Sequence, residues 1–171
     1  MKRSKAYNGY IGKSGHLLVM SELLYRGWNV AIPEVDTGDD IFAVENSSGD
    51  LKRVQVKTAI GKPFKNNKGF SAQFSLRKNH VLLFTGTEMY YFFVIRLNDN
   101  WQKFLIFDID SLSNVLTKAY GSSILNGDGN LTLHLSNKKM NKTFLKKEDV
   151  TIYSDRWEIV GSKTYFPIIH H

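Results

Sequence analysis

Asp36-Thr37-Gly38-Asp39-Asp40-Ile41-Phe42-Ala43-Val44-Glu45-Asn46-Ser47-Ser48-Gly49-Asp50-Leu51-Lys52-Arg53-Val54-Gln55-Val56-Lys57 is the stretch that decides the fold. Ile41 to Glu45 form an apolar run, Asn46-Ser47-Ser48-Gly49 carries turn chemistry, and Leu51 to Lys57 resume a strand pattern. Two antiparallel strands are expected. If Glu45 and Asp50 close the loop as neighbours, Asp40 falls opposite Gln55. Side chains so paired lie roughly 4.5–5.5 Å apart at Cβ. Lys57 shares the face of Gln55 by the strand's period of two, while Ile41, Ala43, Val54 and Val56 point to the other face, towards a core. A carboxylate, a carboxamide oxygen and an ammonium then converge at one strand end, a combination suited to a phosphate and a metal ion. A one-residue slip would turn Gln55 and Lys57 inward. On spacing alone, a hairpin with a solvated polar face accounts for the same residues.

With 171 residues, 42% apolar and 23% charged, the chain has the length and composition of one globular domain with a real core. The net charge of +7 suggests a polyanionic partner. Its distribution says more: from Lys52 to Lys78 there are eight basic residues and no acidic one. Cysteine is absent, which excludes disulfides and thiolate metal sites. Met1-Lys2-Arg3-Ser4-Lys5 does not lead into the apolar run of a signal peptide, and no stretch reaches the length of a membrane span. No membrane association and a cytoplasmic location are the expectations. The terminal His170-His171 is assigned no role.

Residues 1 to 13 read as a basic, irregular lead-in containing Gly9 and Gly12. Ser14 is a suitable N-cap for a helix running to about Arg26, where Gly27 stops it. Leu17, Met20, Leu23 and Leu24 supply its expected buried stripe. Trp28 to Ile32 read as a strand, and the central hairpin follows. Ile60 to Gly69 is expected to be a basic loop, Phe70 to Leu76 a strand, and Arg77 to Phe84 a helical or irregular piece. Met89 to Leu97 is continuously apolar, as in a strand buried on both faces. Lys103 to Ile109 is a further strand, Asp110-Ser111 caps a helix to about Tyr120, and Asn126 to Asn130 is a turn before the strand Leu131 to Leu135. No repeat or linker divides the chain.

Several familiar motifs fail on inspection. Gly12-Lys13-Ser14 resembles the end of a phosphate-binding loop, but Tyr7 stands where its first glycine should be, and no strand precedes it. Asn126-Gly127-Asp128-Gly129-Asn130 has Leu131 and Asn137 where a calcium loop needs glycine and glutamate. With no secretory signal expected, the Asn-x-Ser/Thr triplets at Asn46, Asn130 and Asn141 are expected to be chance matches to glycosylation acceptors.

The order of the phrases along the chain carries a resemblance. Leu23-Leu24-Tyr25-Arg26-Gly27-Trp28-Asn29-Val30 ends a helix, a proline follows, an aspartate opens a strand, and Gln55-Val56-Lys57-Thr58 comes next. The aromatic strand Tyr90 to Arg96 and Phe104-Leu105-Ile106 follow later. In this order and spacing, over most of its length, the chain resembles the PD-(D/E)XK nuclease superfamily, in particular its small single-domain endonucleases. The resemblance implies that Asp40 is the metal-binding aspartate, with Asp39 a competitor one residue away. It implies that Gln55 stands in for the motif's acidic residue, ligating through its amide oxygen without adding charge. The Val56 carbonyl would be a further ligand, and Lys57 the motif's lysine, orienting the attacking water and offsetting transition-state charge. Relatives carry a Gly-Glu pair near the start of the first helix; here it is Gly15-His16. Glu22 does not replace the missing glutamate, because six residues turn a helix to about 120° from His16. His16 is then a nitrogen ligand, a general base or a phosphate contact, unless it is an ordinary surface histidine.

The expectation is therefore a single α/β domain with a restriction-endonuclease-like core. Its central mixed sheet of about five strands is flanked by helices, with extra strands towards the C-terminus. The expected activity is Mg2+- or Mn2+-dependent endonuclease cleavage of DNA, with RNA left open. Lys13, Lys62, Lys65, Lys68, Arg77 and Lys78 would contact phosphates, and a homodimer is expected by analogy. The alternative is a nucleic-acid-binding or partner-regulating domain that keeps the fold and has lost efficient cleavage, since His16 and Gln55 leave one certain carboxylate.

Overall fold

The central hairpin forms in the register its turn predicts. In the computed structural model, which describes residues 5–35, 38–46, 48–66, 68–82, 88–138 and 142–161, β2 (Ile41–Glu45) runs antiparallel to β3 (Leu51–Ile60). Val44 lies opposite Leu51 and Ile41 opposite Val54, and Glu45 N donates to Asp50 O at 2.9 Å to close the loop. Ile41, Ala43, Val54 and Val56 are buried. On the outer side β1 (Trp28–Ala31) pairs antiparallel with β2. On the inner side β3 runs parallel to β6 (Met89–Leu97), which pairs antiparallel with β7 (Asn100–Asp108). The sheet order is β1-β2-β3-β6-β7, a mixed sheet.

A parallel step needs a crossover, and this one carries a second sheet with it. Between β3 and β6 the chain forms β4 (Lys62–Pro63), β5 (Phe70–Arg77) and the short helix α2 (Lys78–Leu82). After β7 come α3 (Ile109–Tyr120), β8 (Asn130–Asn137), β9 (Thr143–Leu145) and β10 (Glu148–Asp149). The second sheet is antiparallel, in the order β10-β9-β8-β5-β4. The extra C-terminal strands thus assemble on β5, and part of the expected basic loop is itself strand. Met89 to Ile95 are buried without a break because both faces of β6 are covered. Tyr90, Phe92 and Val94 share a core with the first helix; Tyr91, Phe93 and Ile95 pack with Phe74, Leu76, Leu133 and Leu112.

The first helix corrects the sequence reading most. α1 spans Lys5–Tyr25, so most of the expected lead-in is helical, and Ser14 sits inside it with its hydroxyl donating to Ile11 O at 2.8 Å. Gly9, Gly12 and Gly15 ride within the helix although each glycine costs about 1 kcal/mol relative to alanine there. At Gly15 the reason is close approach: a Cβ would overlap the Thr58 side chain of β3. The buried stripe is Gly15, Val19 and Leu23, while Leu17 and Leu24 are more than half exposed. The smallest residue, not the largest, marks the inward face. Gly27, at φ 86°, ends the helix as expected.

Two smaller corrections follow from capping and turn chemistry. α3 is capped by Asp108, whose carboxylate accepts from Ser111 N and Ser111 Oγ, both at 2.7 Å, so the cap falls two residues before the expected Asp110 and Asp110-Ser111 lies within the first turn. Asn98 and Asp99 take φ of 47° and 63°, the left-handed pair of a tight hairpin turn, which lets β7 begin at Asn100 rather than at Lys103. No helix among the described residues is long and apolar enough to cross a membrane. The terminal histidine pair lies outside the described residues.

Alanine at each helical glycine separates the two costs. Gly9→Ala and Gly12→Ala, with open space around them, are expected to raise stability by roughly 0.5–1 kcal/mol. Gly15→Ala is expected to lower it by about 1–3 kcal/mol through overpacking against Thr58. Urea denaturation of the three variants checks this; an equal gain at Gly15 would show that the helix stands clear of β3.

Candidate active site

Asp40, the residue before β2, ties three elements together. Its backbone N–H donates to Val54 O at 2.9 Å, extending the β2–β3 ladder by one bond. Its Oδ2 accepts from Val56 N at 2.7 Å and from Gln55 Nε2 at 2.9 Å. Because β2 begins at Ile41, Val56 N–H meets this carboxylate where a longer strand would offer a carbonyl, and a backbone donor in so sheltered a place needs a partner. The other oxygen, Oδ1, lies 3.5 Å from His16 Nε2 on α1. His16, Asp40 and Gln55 therefore meet at one point. Val56 contributes its bound N–H there, and its side chain is buried in the core shared with α1.

A solvated hairpin face does not describe Gln55, which is only 4% exposed. Its Oε1 is buried and has no hydrogen-bond partner among the described residues. Such an acceptor costs on the order of 1–3 kcal/mol when nothing satisfies it. Lys57 stands two residues further along β3 and opens with Gln55 into a cleft of about 550 Å³. The opposite wall comes from the second sheet and α2: Ser75, Arg77, Asn130 and His80, with Gly38 at the rim.

The adjacent carboxylates have separate fates. Asp39 is 3% exposed and takes a fork from Arg53, with Nε at 3.0 Å and Nη2 at 2.7 Å. It is a buried structural anion, which leaves Asp40 as the carboxylate turned to His16 and Gln55. Tyr91, paired in register with Gln55, donates its hydroxyl to His80 O at 3.1 Å. Burial, then the charges of Asp39 and Asp40, hold this phenol far above its usual acidity range, so it remains a neutral donor tying α2 to the sheet. The His80 ring packs on Gly38, at φ 108°, where a Cβ would lie 2.7 Å from ring atoms.

Of the residues expected to contact phosphates, Arg77 lines this cleft. Lys62 lies on β4 in a separate groove with Asn8, Thr58 and Ser71. Lys65 and Lys68 are exposed in the β4–β5 turn, Lys13 is exposed on α1, and Lys78 Nζ reaches Asn126 O at 3.4 Å. Sequence reasoning missed Ser75, His80 and Asn130. The polar positions alternating along β5 signalled Ser75; nothing local ties His80 to Gly38.

A hard cation here would take a carboxylate oxygen from Asp40. Gln55, which now turns Nε2 to Asp40, would add its amide oxygen only after the near-isosteric amide turns over. His16 Nε2 adds a nitrogen better suited to Mn2+ than to Mg2+. No group of three His, Cys, Asp or Glu side chains able to hold a metal occurs among the described residues.

Comparison with protein-family models and with curated proteins finds no match. Among solved structures, the chain is similar to a bacterial homing endonuclease, I-Ssp6803I. That similarity has a TM-score of 0.50 at 18% identity and covers 87% of this chain and 88% of that one. Hjc, a Holliday junction resolvase from the archaeal hyperthermophile Archaeoglobus fulgidus, matches 58% of this chain and 73% of its own, with a TM-score of 0.36 and 14% identity. The first likeness, together with the mixed sheet and its flanking helices, defines the fold as restriction-endonuclease-like α/β.

Arg53→Ala is expected to destabilise the protein by about 3–5 kcal/mol, because it strands the Asp39 carboxylate in the interior. Removing Asp39 as well should restore part of that loss. Urea midpoints of the single and double variants measure the coupling; additive losses would mean the pair is not an isolated buried unit.

Proposed function

We propose that the chain is a divalent-metal-dependent nuclease that hydrolyses a phosphodiester of DNA by in-line attack of water. The observation that carries this reading is Gln55, whose amide N–H donates to the Asp40 carboxylate and whose buried Oε1 has no partner among the described residues, in a cleft that also contains Lys57. The restriction-endonuclease-like fold, the likeness to a homing endonuclease and the resemblance to the PD-(D/E)XK pattern all support it.

Asp40 and Gln55 would hold the cation, with His16 beside them. When bound, the ion supplies Lewis-acid polarisation of a phosphoryl oxygen. Lys57 offsets the negative charge that grows on the phosphorus oxygens in the transition state and orients the attacking water, a role its ammonium performs best where solvent is excluded. Arg77, on the opposite wall, presents its guanidinium to the DNA that enters the cleft. The Asp40–Val56 bond fixes the carboxylate before substrate arrives, so little reorganisation accompanies the reaction. One such site cuts one strand; a homodimer would address both strands of a duplex.

A second reading rests on a specific observation. Asp39 is committed to Arg53, so among the described residues at the site Asp40 is the single carboxylate turned towards the proposed ion. A domain that binds nucleic acid and cleaves it poorly, or not at all, has this composition.

Incubation of supercoiled plasmid with the protein and Mn2+ is expected to give nicked circles, and Lys57→Ala to slow nicking by roughly 10²-fold or more. Wild-type protein that retards DNA on a gel yet leaves it intact with every divalent metal would favour the binding domain over the nuclease.

A further inference from the structure

The second sheet has two unlike faces. Inward, Ala72, Phe74, Leu76, Leu131, Leu133 and Leu135 are buried in the core beneath β6. Outward, the β5–β8 register sets Ser71 opposite Ser136, Gln73 opposite His134, Ser75 opposite Thr132 and Arg77 opposite Asn130. Directly paired residues share a face, so these eight positions form one polar ribbon, exposed over all but the Ser71–Ser136 end. Lys62, opposite Ser71 on β4, extends it.

The chemistry of this face is uniform. It carries one guanidinium, seven neutral hydrogen-bonding side chains and no carboxylate. The acidic residues of this sheet among the described residues, Glu148 and Asp149, lie on β10, two strands away from β8. Neutral amides, hydroxyls and an arginine are the groups that pair with base edges: arginine with guanine, glutamine and asparagine with adenine, serine and threonine with either. The ribbon is also held in shape. Gln73 Nε2 lies 3.1 Å from His134 Nδ1, which orients the amide. The Tyr120 hydroxyl accepts from His134 N at 3.2 Å and donates to Thr132 O at 3.4 Å, closing the edge of β8 that β9 leaves bare.

Position and size agree with a groove. Ser75, Arg77 and Asn130 belong both to this face and to the cleft with Gln55 and Lys57, so the ribbon runs directly into the candidate active site. Six residues of strand span roughly 20 Å, or about six base-pair steps. Two strands about 4.8 Å apart enter a major groove about 12 Å wide.

We propose that the outer face of β5 and β8 lies in the major groove of duplex DNA and reads a short run of base pairs beside the phosphodiester held at Asp40 and Lys57. The location of that phosphodiester rests on the nuclease reading; the groove contact does not. Arg77 and Asn130 read the pairs nearest the scissile bond, and Gln73 with His134 reads those further away.

The test is selection of bound duplexes from a randomised DNA library without divalent metal, followed by sequencing. Wild-type protein is expected to enrich a contiguous motif of about six positions. The double variant Gln73→Ala/His134→Ala should lose roughly tenfold or more of the discrimination at the motif's far positions while keeping it at the Arg77 end, a pattern misfolding does not produce. Enrichment of no motif, preference for single strands, or an unchanged motif in the double variant would overturn the groove contact. A motif obtained from a protein that nicks no plasmid carrying that motif, with any divalent metal, would sink the nuclease reading and leave the groove contact standing.

Discussion

One hydrogen bond, from Val56 N to Asp40 Oδ2, holds the architecture of the site together. It lies where β2 has not yet begun and β3 still needs a partner, so a side chain completes the ladder that the backbone leaves open. The same carboxylate oxygen takes the Gln55 amide, and its twin faces His16. A single residue thereby joins β2, β3 and α1. The cost of that arrangement falls on Gln55, whose oxygen is left buried and without a hydrogen bond among the described residues.

The surrounding architecture serves the same point from two sides. On one face of the first sheet, Gly15 lets α1 approach β3 closely enough to bring His16 to Asp40. On the other face, the crossover from β3 to β6 carries a second sheet, so Arg77 and Asn130 end up across the cleft from Lys57. Arg53 neutralises Asp39 beneath, and Tyr91, held protonated by burial and nearby negative charge, fastens α2 through His80 O. The proposed catalytic and groove readings thus draw on one geometry: in them the end of β3 would meet the phosphate, and β5 with β8 the bases.

Much of this was legible in the sequence because it depends on short-range rules. The turn Asn46 to Gly49 fixed the register, the register put Asp40 opposite Gln55, and the unbroken apolar run of β6 announced a strand covered on both sides. What stayed hidden depends on packing between distant segments. Gly9 and Gly12 read as a lead-in because intrinsic propensity disfavours glycine in helices, yet α1 runs through both and on to Gly15, which packs on Thr58. Leu17 and Leu24 looked buried by periodicity, although the helix turns its glycine face inward. His80 and Asn130 reach the cleft only through the topology of the second sheet, which no local pattern encodes.

The account turns on Gln55 Oε1 being one half of a cation site whose other half is Asp40. Anomalous scattering from crystals soaked in Mn2+ measures this directly. A peak about 2–2.5 Å from both Asp40 and Gln55 Oε1, with the Gln55 amide turned so that its oxygen faces the carboxylate, is the predicted result. No peak beside Asp40, with Gln55 Nε2 still donating to Oδ2, would contradict it.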